Sequence, residues 1–472
     1  MPKDARSFQR ESDQFGILLE ASSQVYTDFE PANDFTTNFI LGKLLELGLE
    51  LSPKNKHHYK KICATCDFFV AARYARNGLI IWLGGNDEYV GAMYGGVIAR
   101  EMRERFINAG WMRKVQKSSK KDKLASIYET SIPFETEQLR FKPHGKTQPV
   151  IVRSRKKRAP DGKITGGKRI SAKKFGDQYE KELDFVREIN SAMAANPLTT
   201  LDGRAFRHGK RIFNNGSLTQ GGRMYGPWQQ YREVERLEMT IDEEPVCEID
   251  LKASYLNLAN IHYGNGAPLP QDPYQRIWFV EREIDPDRKH SMRALAKKLL
   301  STAVGNESET GALNRTTFPK GREYWDRDAK RMKATPIRKE FNLPKGAKAK
   351  DYYADIFRAY PFLTEAEGKW AELMHLESQI ILGAVHKLAQ EGIATYPVHD
   401  SLICKVSDKN RTIEAIHAMM MHYLGATFYV DASILGQDVE IVPPLGNITY
   451  QCNRTVSVDW GVDEDISLIE ED

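Results

Sequence analysis

Apolar residues recur at helical spacing in the first part of the chain. Ile98, Met102 and Phe106 repeat every four residues and Gly110 follows them, which predicts a helix with a glycine at its end. The segments WMRKV and SIYETSI come next and are joined by a lysine-rich loop. A helix with a two-stranded wing and a basic tip suggests a winged-helix DNA-binding module, and a plain helical domain with a hairpin fits the pattern equally well.

A second helix is predicted where Leu183, Val186, Ile189 and Met193 share one face, and Pro197 closes it. From there to about residue 450, runs with strand and helix patterns alternate, which predicts an α+β fold. The chain is accordingly divided into a flexible N-terminus (1–30), a mostly helical, winged-helix-like domain (31–140), a basic linker (141–175), a core with every candidate motif (176–450) and an acidic tail (451–472).

The composition fits a globular protein. Of the 472 residues 41% are hydrophobic, no run of eighteen apolar residues exists, and the N-terminus lacks a signal pattern. We therefore expect a soluble, cytoplasmic chain, most simply a monomer, without a membrane partner. Five scattered cysteines argue for a reducing compartment. Cys63 and Cys66 form a CxxC, but no second pair follows at zinc-finger spacing.

Charge is distributed unevenly, although the net charge is only +4. Residues 141–180 contain twelve Lys or Arg against three Asp or Glu, whereas residues 455–472 carry seven acids and no base. Such runs are commonly a solvated linker and a solubilising tail. Alternatively, the basic run contacts nucleic acid phosphates, because Lys and Arg release counterions from a polyanion. The candidate phosphate contacts are Arg153, Arg155, Lys156, Lys157 and Arg158.

Two aspartates stand at the ends of predicted core strands. Residues 394–406, ATYPVHDSLICKV, predict a hairpin with a bend at His399, Asp400 and Ser401, and residues 245–251, PVCEIDL, predict a strand with Asp250 near its end. An aspartate at a turn is by itself commonly a local turn former. Two of them on adjacent strands could instead hold two divalent cations about 3.5–4 Å apart. Mg²⁺ suits a site with few carboxylates, and Mn²⁺ is a possible substitute.

The segment SMRALAKKLLSTAVGNE contains two basic residues that could bind phosphate. Arg293 and Lys297 are four residues apart on a predicted helix and share one face, while Leu295, Leu299 and Leu300 form the apolar face. Two cations fixed in this way could bind a triphosphate, although such a pair is more commonly a solvated surface.

Together these segments resemble motifs A, B and C of family A DNA polymerases and the related single-subunit phage-type RNA polymerases. CEIDLKASYL is similar to motif A, the R-x-x-x-K helix to motif B, and the HDS turn to motif C. The segment SLTQGGRMYGPWQQYR resembles the T-x-G-R element before motif A, and HLESQIILGAVHKLAQEGI resembles the helix before motif C. The similarity covers about residues 200–410.

This resemblance implies a polymerase right hand, with an antiparallel palm sheet, helical fingers and a reduced thumb. It implies that Asp250, Asp400 and the backbone carbonyl of Leu251 bind two Mg²⁺ ions. The implied nucleotide-binding residues are Arg293, Lys297, Tyr255, Ser301 and Gly305. The implied primer-template residues are Arg223, Gln379, His399 and Ser401. The implied partners are a DNA primer-template, with RNA as the alternative, and nucleoside triphosphates.

Three departures from the family matter. Motif B continues into Gly305-Asn306 where the family has Tyr-Gly, so the ring that stacks on the incoming nucleotide is missing or supplied elsewhere. Tyr255 replaces the Glu of the DNA enzymes and could still exclude ribonucleotides, whereas Ser401 is the residue of the RNA enzymes. No proofreading motif set precedes the core, since FETE lacks its accompanying Asp.

We therefore expect a DNA polymerase without proofreading, of a kind that suits a phage or mobile element. An RNA polymerase or primase-like enzyme is the alternative. A DNA-binding replication initiator with a degenerate polymerase domain is a further one.

Overall fold

A computed structural model describes residues 23–24, 29–75, 78–82, 94–116, 126–131, 138–143, 149–155, 157–158, 164–165, 167–201, 205–305, 315–326 and 331–445. These residues form an α+β protein whose sheets are mainly antiparallel. Their buried apolar side chains make two main clusters, one within residues 40–128 and a larger one within residues 150–432. No helix in the described ranges is long and apolar enough to span a membrane.

The first cluster is built by three helices and a four-stranded sheet with the strand order β1-β3-β5-β4. The helices are α1 (Asp34–Glu46), α2 (Lys56–Tyr74) and α3 (Gly96–Asn108). The strands of this region are β1 (Ser23–Gln24), β2 (Phe29–Pro31), β3 (Leu79–Ile81), β4 (Met112–Gln116), β5 (Ile127–Thr130) and β6 (Phe141–Pro143). β2 pairs with β6 outside the four-stranded sheet.

The predicted helix and hairpin of this region are confirmed. Ile98, Met102 and Phe106 are all buried on α3, and Gly110 follows with a φ of +73°, a conformation that glycine adopts without strain. β4 and β5 pair antiparallel, and the basic tip at 117–125 lies outside the described residues. Cys63 is buried on α2, where burial raises the pKa of its thiol.

The expected linker at 141–175 contains regular structure. β7 (Val150–Val152) is fully buried and pairs in parallel with β12 (Lys210–Phe213), so it belongs to the larger core. A short hairpin follows, formed by β8 (Lys157–Arg158) and β9 (Ile164–Thr165). The high charge of the flanking residues concealed the three apolar residues of β7.

The larger core contains the remaining elements. Its helices are α4 (Asp177–Ala195), α5 (Glu233–Leu237), α6 (Ser254–Tyr263), α7 (Trp278–Glu281), α8 (Pro286–Val304), α9 (Ile337–Glu340), α10 (Ala349–Ala359), α11 (Leu363–Ala366), α12 (Trp370–Gln390) and α13 (Lys409–Leu424). Its further strands are β10 (Leu198–Thr199), β11 (Ala205–Phe206), β13 (Gly221–Tyr225), β14 (Thr240–Ile241), β15 (Glu244–Leu251), β16 (Lys320–Asp326), β17 (Arg331–Pro336), β18 (Tyr396–Val398), β19 (Ser401–Lys405), β20 (Val430–Ile434) and β21 (Glu440–Val442).

Strand β15 is central in an eight-stranded sheet. It pairs antiparallel with β19 on one side and with β20 on the other, and its first two residues pair with β14. One face of β15 carries Cys247, Ile249 and Leu251, which are buried. Alternate residues on the other face include Glu248 and Asp250, so the pleat of a single strand presents acidic side chains away from the apolar core.

Helix α12 packs against β13, α13, α6 and α4. An ion pair is buried between these elements: Arg211 on β12 donates to Glu182 on α4 over 2.5 Å, and neither side chain is more than 4% exposed. Arg211 also donates to the side-chain oxygen of Gln379 on α12 (2.6 Å) and to the carbonyl of Gly222 (2.8 Å). One guanidinium therefore fixes three segments to one another.

We predict that Arg211→Met lowers the free energy of unfolding by about 3–5 kcal/mol, because Glu182 is left buried without a counter-charge. The double variant R211M/E182M is expected to recover most of this loss. Urea unfolding monitored by circular dichroism measures both effects. Equal instability of the single and the double variant would contradict the assignment of the loss to an uncompensated charge.

Candidate active site

The backbone pairing of β15 and β19 brings Asp250 and Asp400 together. Asp250 lies opposite Ser401 in the register, and Asp400 is the residue immediately before Ser401. The amide of Leu251 donates to the carbonyl of Asp400 over 3.0 Å. The two carboxylates that are 150 positions apart in the sequence therefore stand at the ends of adjacent strands.

Two residues beside these aspartates have left-handed backbone conformations. His399 and Asp400 form the two-residue turn between β18 and β19, and His399 has a φ of +58°. Ala253, which precedes α6, has a φ of +49° and a ψ of +41°. A residue other than glycine held in this region costs on the order of 1–3 kcal/mol, and such residues concentrate at functional sites.

The electrostatic environment of Asp250 is unfavourable for its charge. Solvent reaches the side chain, but protein packs closely around it, and removal from water together with the charges of Asp400 and Glu248 raises its pKa to about 8. Lys297 acts in the opposite direction. Asp431, the partner of Asp250 on β20, adds a smaller repulsion and is itself paired with Lys252 at 2.8 Å.

This arrangement fits divalent cations. Carboxylate oxygens are the ligands that Mg²⁺ prefers, and it completes its coordination with water and phosphate oxygens when a protein offers few carboxylates. A cation between Asp250 and Asp400 would relieve the repulsion that raises the pKa of Asp250. No group of three or more His, Cys, Asp or Glu side chains arranged for a metal occurs among the described residues. The two aspartates are the candidate protein ligands, and the role of the Leu251 carbonyl stays a prediction.

Helix α8 carries Lys297, a lysine whose charge acts on Asp250. Leu295, Leu299 and Leu300 are buried as predicted, whereas Lys297 is exposed and forms no ion pair with a described residue. Arg293 donates to Asp272 over 2.7 Å. Lys297 is therefore a cation close enough to act on Asp250 and free to bind an anion.

Ser301 and Gly305 lie at the end of α8. The hydroxyl of Ser301 donates to the carbonyl of Lys297 over 2.8 Å, and Gly305 caps the helix with a φ of −78°. Both residues are exposed, and the hydrogen bonds of the described residues do not join either one to the carboxylate pair. Their role in nucleotide binding stays a prediction.

A polar network links Tyr255 to β13 and α12. The guanidinium of Arg223 lies 5.6 Å from the centre of the Tyr255 ring and donates to Glu377 over 2.7 Å. Ser254 donates to the other oxygen of Glu377 over 2.6 Å. Glu377 is fully buried, and burial raises its pKa to about 7 although Arg223 opposes this shift. Glu377 was not singled out from the sequence.

Gln379 lies within the protein core. It is 4% exposed and accepts a hydrogen bond from Arg211, so it contributes to the core network, and its predicted contact with a primer-template remains untested. The residue of α12 that contacts Arg223 is Glu377. No periodic pattern could have separated these two neighbours, since both are polar residues within a buried helix.

Two residues that contact Arg293 were not identified from the sequence. Asp272 receives the hydrogen bond from Arg293, and the Arg293 guanidinium lies 5.1 Å from the centre of the Tyr274 ring. Burial raises the pKa of Tyr274 to about 12, with Arg293 opposing and Asp400 and Asp250 adding to the shift. Tyr274 therefore contacts Arg293 and lies close enough to the carboxylate pair for both aspartates to affect its pKa.

The two neighbours of Asp400 differ in exposure. His399 is exposed, and its ring packs against Tyr225 with centroids 5.9 Å apart. Ser401 is 2% exposed and donates to Glu248 over 2.6 Å. Ser401 is therefore a buried hydrogen-bond donor, and its predicted contact with a primer-template remains untested.

The basic segment falls partly outside the described residues. Arg155 is exposed, while Arg153 donates to the carbonyl of Gly167 over 3.2 Å. Lys156 lies outside the described residues, and Lys157 and Arg158 are described only as the backbone of β8.

No protein-family model and no curated protein matches the chain. Among solved structures, it is similar to the "POL domain of Pol1 from M. smegmatis complex with DNA primer-template and dNTP" at 12% identity with a TM-score of 0.26. The match covers 60% of this chain and 57% of that chain, so it spans little more than half of that protein. A TM-score this low does not establish a common fold, and the function has to be inferred from the geometry of the site itself.

Proposed function

We propose that this protein is a template-directed nucleotidyltransferase that adds deoxynucleotides to the 3′-hydroxyl of a primer on a DNA template. One observation carries the proposal: Asp250 and Asp400 end adjacent strands beside Lys297, a cation that no described acidic side chain pairs. Two clustered carboxylates with a free cation close by suit a substrate that brings both divalent cations and phosphate groups.

Two Mg²⁺ ions, or Mn²⁺ in their place, would lower the pKa of the attacking hydroxyl and stabilise the departing pyrophosphate. Asp250, Asp400 and the Leu251 carbonyl would hold them. Lys297 and Arg293 would bind the triphosphate, with Asp272 orienting the Arg293 fork. Motif B lacks the tyrosine that usually stacks on the incoming nucleotide. The ring of Tyr274, which packs on Arg293, could take its place.

Deoxynucleotides are favoured over ribonucleotides because Tyr255 is held in place. Its ring packs on Arg223, which Glu377 fixes in turn, so the ring is a firm obstacle beside the start of α6. Ser401, the feature that suggested an RNA polymerase, is occupied by its hydrogen bond to Glu248. It consequently gives no support to that alternative.

The larger core would then be the palm and fingers of a polymerase, with the sheet around β15 as the palm and α8 with the β16–β17 hairpin in the fingers. Arg223 and His399 would contact the primer-template. The N-terminal region and the basic run around Arg155 would bind nucleic acid backbone. This assignment requires no membrane partner, and a monomer in the cytoplasm suffices for it.

Asp250→Asn and Asp400→Asn should each reduce nucleotide incorporation by on the order of 10³-fold or more, because each removes a charge at the reacting centre. Asp184→Asn, on the exposed face of α4, is the matched control and should extend a primer normally. The measurement is extension of a labelled primer with dNTPs, with rNTPs and without primer. Normal extension by either site variant would refute the proposal.

Tyr255→Ala is expected to reduce discrimination against ribonucleotides roughly 10- to 100-fold, since the ring that excludes the 2′-hydroxyl is removed. Tyr255→Phe keeps the ring and should keep the discrimination. The ratio of kcat/KM for dATP and ATP on one template measures it. If Y255A and wild type have the same ratio, Tyr255 is not the sugar-selecting residue.

Replacing Arg155, Lys156, Lys157 and Arg158 with Gln should reduce the slope of log K against log salt by about 0.9 for each phosphate of duplex DNA that the variant no longer neutralises. The control variant K181Q/R187Q removes two exposed cations from α4 and should leave the slope unchanged. Fluorescence anisotropy at several salt concentrations gives the slopes. An unaltered slope in the first variant would make the basic run a linker only.

A further inference from the structure

A short segment between β13 and β14 contacts the hairpin that carries Asp400. The indole of Trp228 and the amide of Gln229 both donate to the carbonyl of Pro397 on β18, over 2.9 and 2.8 Å. Trp228 is fully buried, and its ring lies edge-on to Tyr396 at 5.1 Å. We call residues 227–237 the brace.

The same brace reaches the strand that carries Asp250. Arg236 on α5 donates to both carboxylate oxygens of Glu248 on β15, over 2.8 and 2.7 Å, and to the carbonyl of Tyr231 over 2.7 Å. Glu248 in turn accepts the hydroxyl of Ser401 over 2.6 Å. A chain of three side chains thus joins the brace to both strands of the site.

These contacts lie next to both aspartates of the site. Glu248 is two residues before Asp250 on the same face of β15, and Ser401 directly follows Asp400. Glu248 and its two partners are almost entirely buried, with Ser401 2% exposed. A buried carboxylate without a partner would be costly, and here a bidentate arginine and a hydroxyl satisfy it.

The turn that holds Asp400 needs such support. His399 has a left-handed conformation that costs on the order of 1–3 kcal/mol, and Asp250 and Asp400 repel one another. The backbone bond from the Leu251 amide holds the carbonyl of Asp400, and a side-chain bond at Ser401 adds a second restraint on the turn. The hydrogen bond of Ser401 restrains the turn at the residue next to the aspartate.

We propose that Glu248, oriented by Arg236, is a positioning residue that holds Asp400 beside Asp250 through the hydroxyl of Ser401. The inference rests on the proposed function, because the reaction is what requires the two aspartates at a fixed separation. A misplacement of about 1 Å in a reacting group can reduce a rate about 10²-fold. The sequence at 401 then needs a small hydrogen-bond donor, whichever sugar the substrate carries.

The test compares Ser401→Thr with Ser401→Val, which have nearly equal volume and differ in the hydroxyl. We expect S401V to incorporate a nucleotide roughly 10- to 100-fold more slowly than S401T in single turnover, with an unchanged KM for the nucleotide. Glu248→Gln should likewise incorporate a nucleotide more slowly than wild type, with an unchanged KM for the nucleotide. Glu182→Gln weakens another buried Arg–Glu pair and serves as the control for general destabilisation.

Mn²⁺ binding without nucleotide, followed by electron paramagnetic resonance, is the second readout. S401V should bind Mn²⁺ more weakly than S401T, and E182Q should bind it like wild type. Equal rates and equal Mn²⁺ affinities for S401V and S401T would overturn the positioning role, as would an E182Q variant that is as slow as E248Q.

Different results would refute the proposed function and the positioning role of Glu248. A wild-type chain that binds Mn²⁺ but extends no primer would refute the proposed function, and the Mn²⁺ affinities of S401T and S401V would still decide the positioning role. A wild-type chain that neither binds Mn²⁺ nor extends a primer would refute both.

Discussion

The repulsion between Asp250 and Asp400 is the constraint around which the larger core is organised. Two carboxylates at neighbouring strand ends destabilise each other, and partial removal from water together with this repulsion raises the pKa of Asp250 to about 8. The sheet nevertheless enforces the contact through the pairing of β15 with β19 and the bond from the Leu251 amide to the Asp400 carbonyl. Stability is thus given up at one point of the sheet, a common property of functional sites.

Side-chain hydrogen bonds support the backbone near the two aspartates. Ala253 and His399 both have a positive φ, and a side-chain hydrogen bond lies next to each of them. The amide of Asn257 donates to the carbonyl of Lys252 over 2.8 Å, next to Ala253, and Ser401 donates to Glu248 beside the His399 turn. The carboxylates therefore stand on rigid elements held by buried hydrogen bonds, as a preorganised site requires.

Much of the local structure was predictable because its signals are periodic. The spacing of Leu183, Val186, Ile189 and Met193 predicted α4, and the apolar runs around His399 predicted the hairpin, although Ser401 belongs to the second strand and not to the bend. The partners of the site were not predictable. Glu377, Asp272 and Glu248 meet Arg223, Arg293 and Ser401 across 154, 21 and 153 positions, and no pattern along the chain encodes such contacts.

The buried ion pairs suggest what these long-range contacts contribute. Arg211–Glu182, Arg223–Glu377 and Arg236–Glu248 each join two different helices or strands, and every side chain in them is at most 12% exposed. Such pairs are weak sources of stability, because desolvation offsets most of their attraction. Each forked guanidinium instead accepts only one arrangement of its partners. Apolar replacements could preserve the fold, but they would remove the directional contacts that set where Arg223, Ser401 and thereby Asp400 stand.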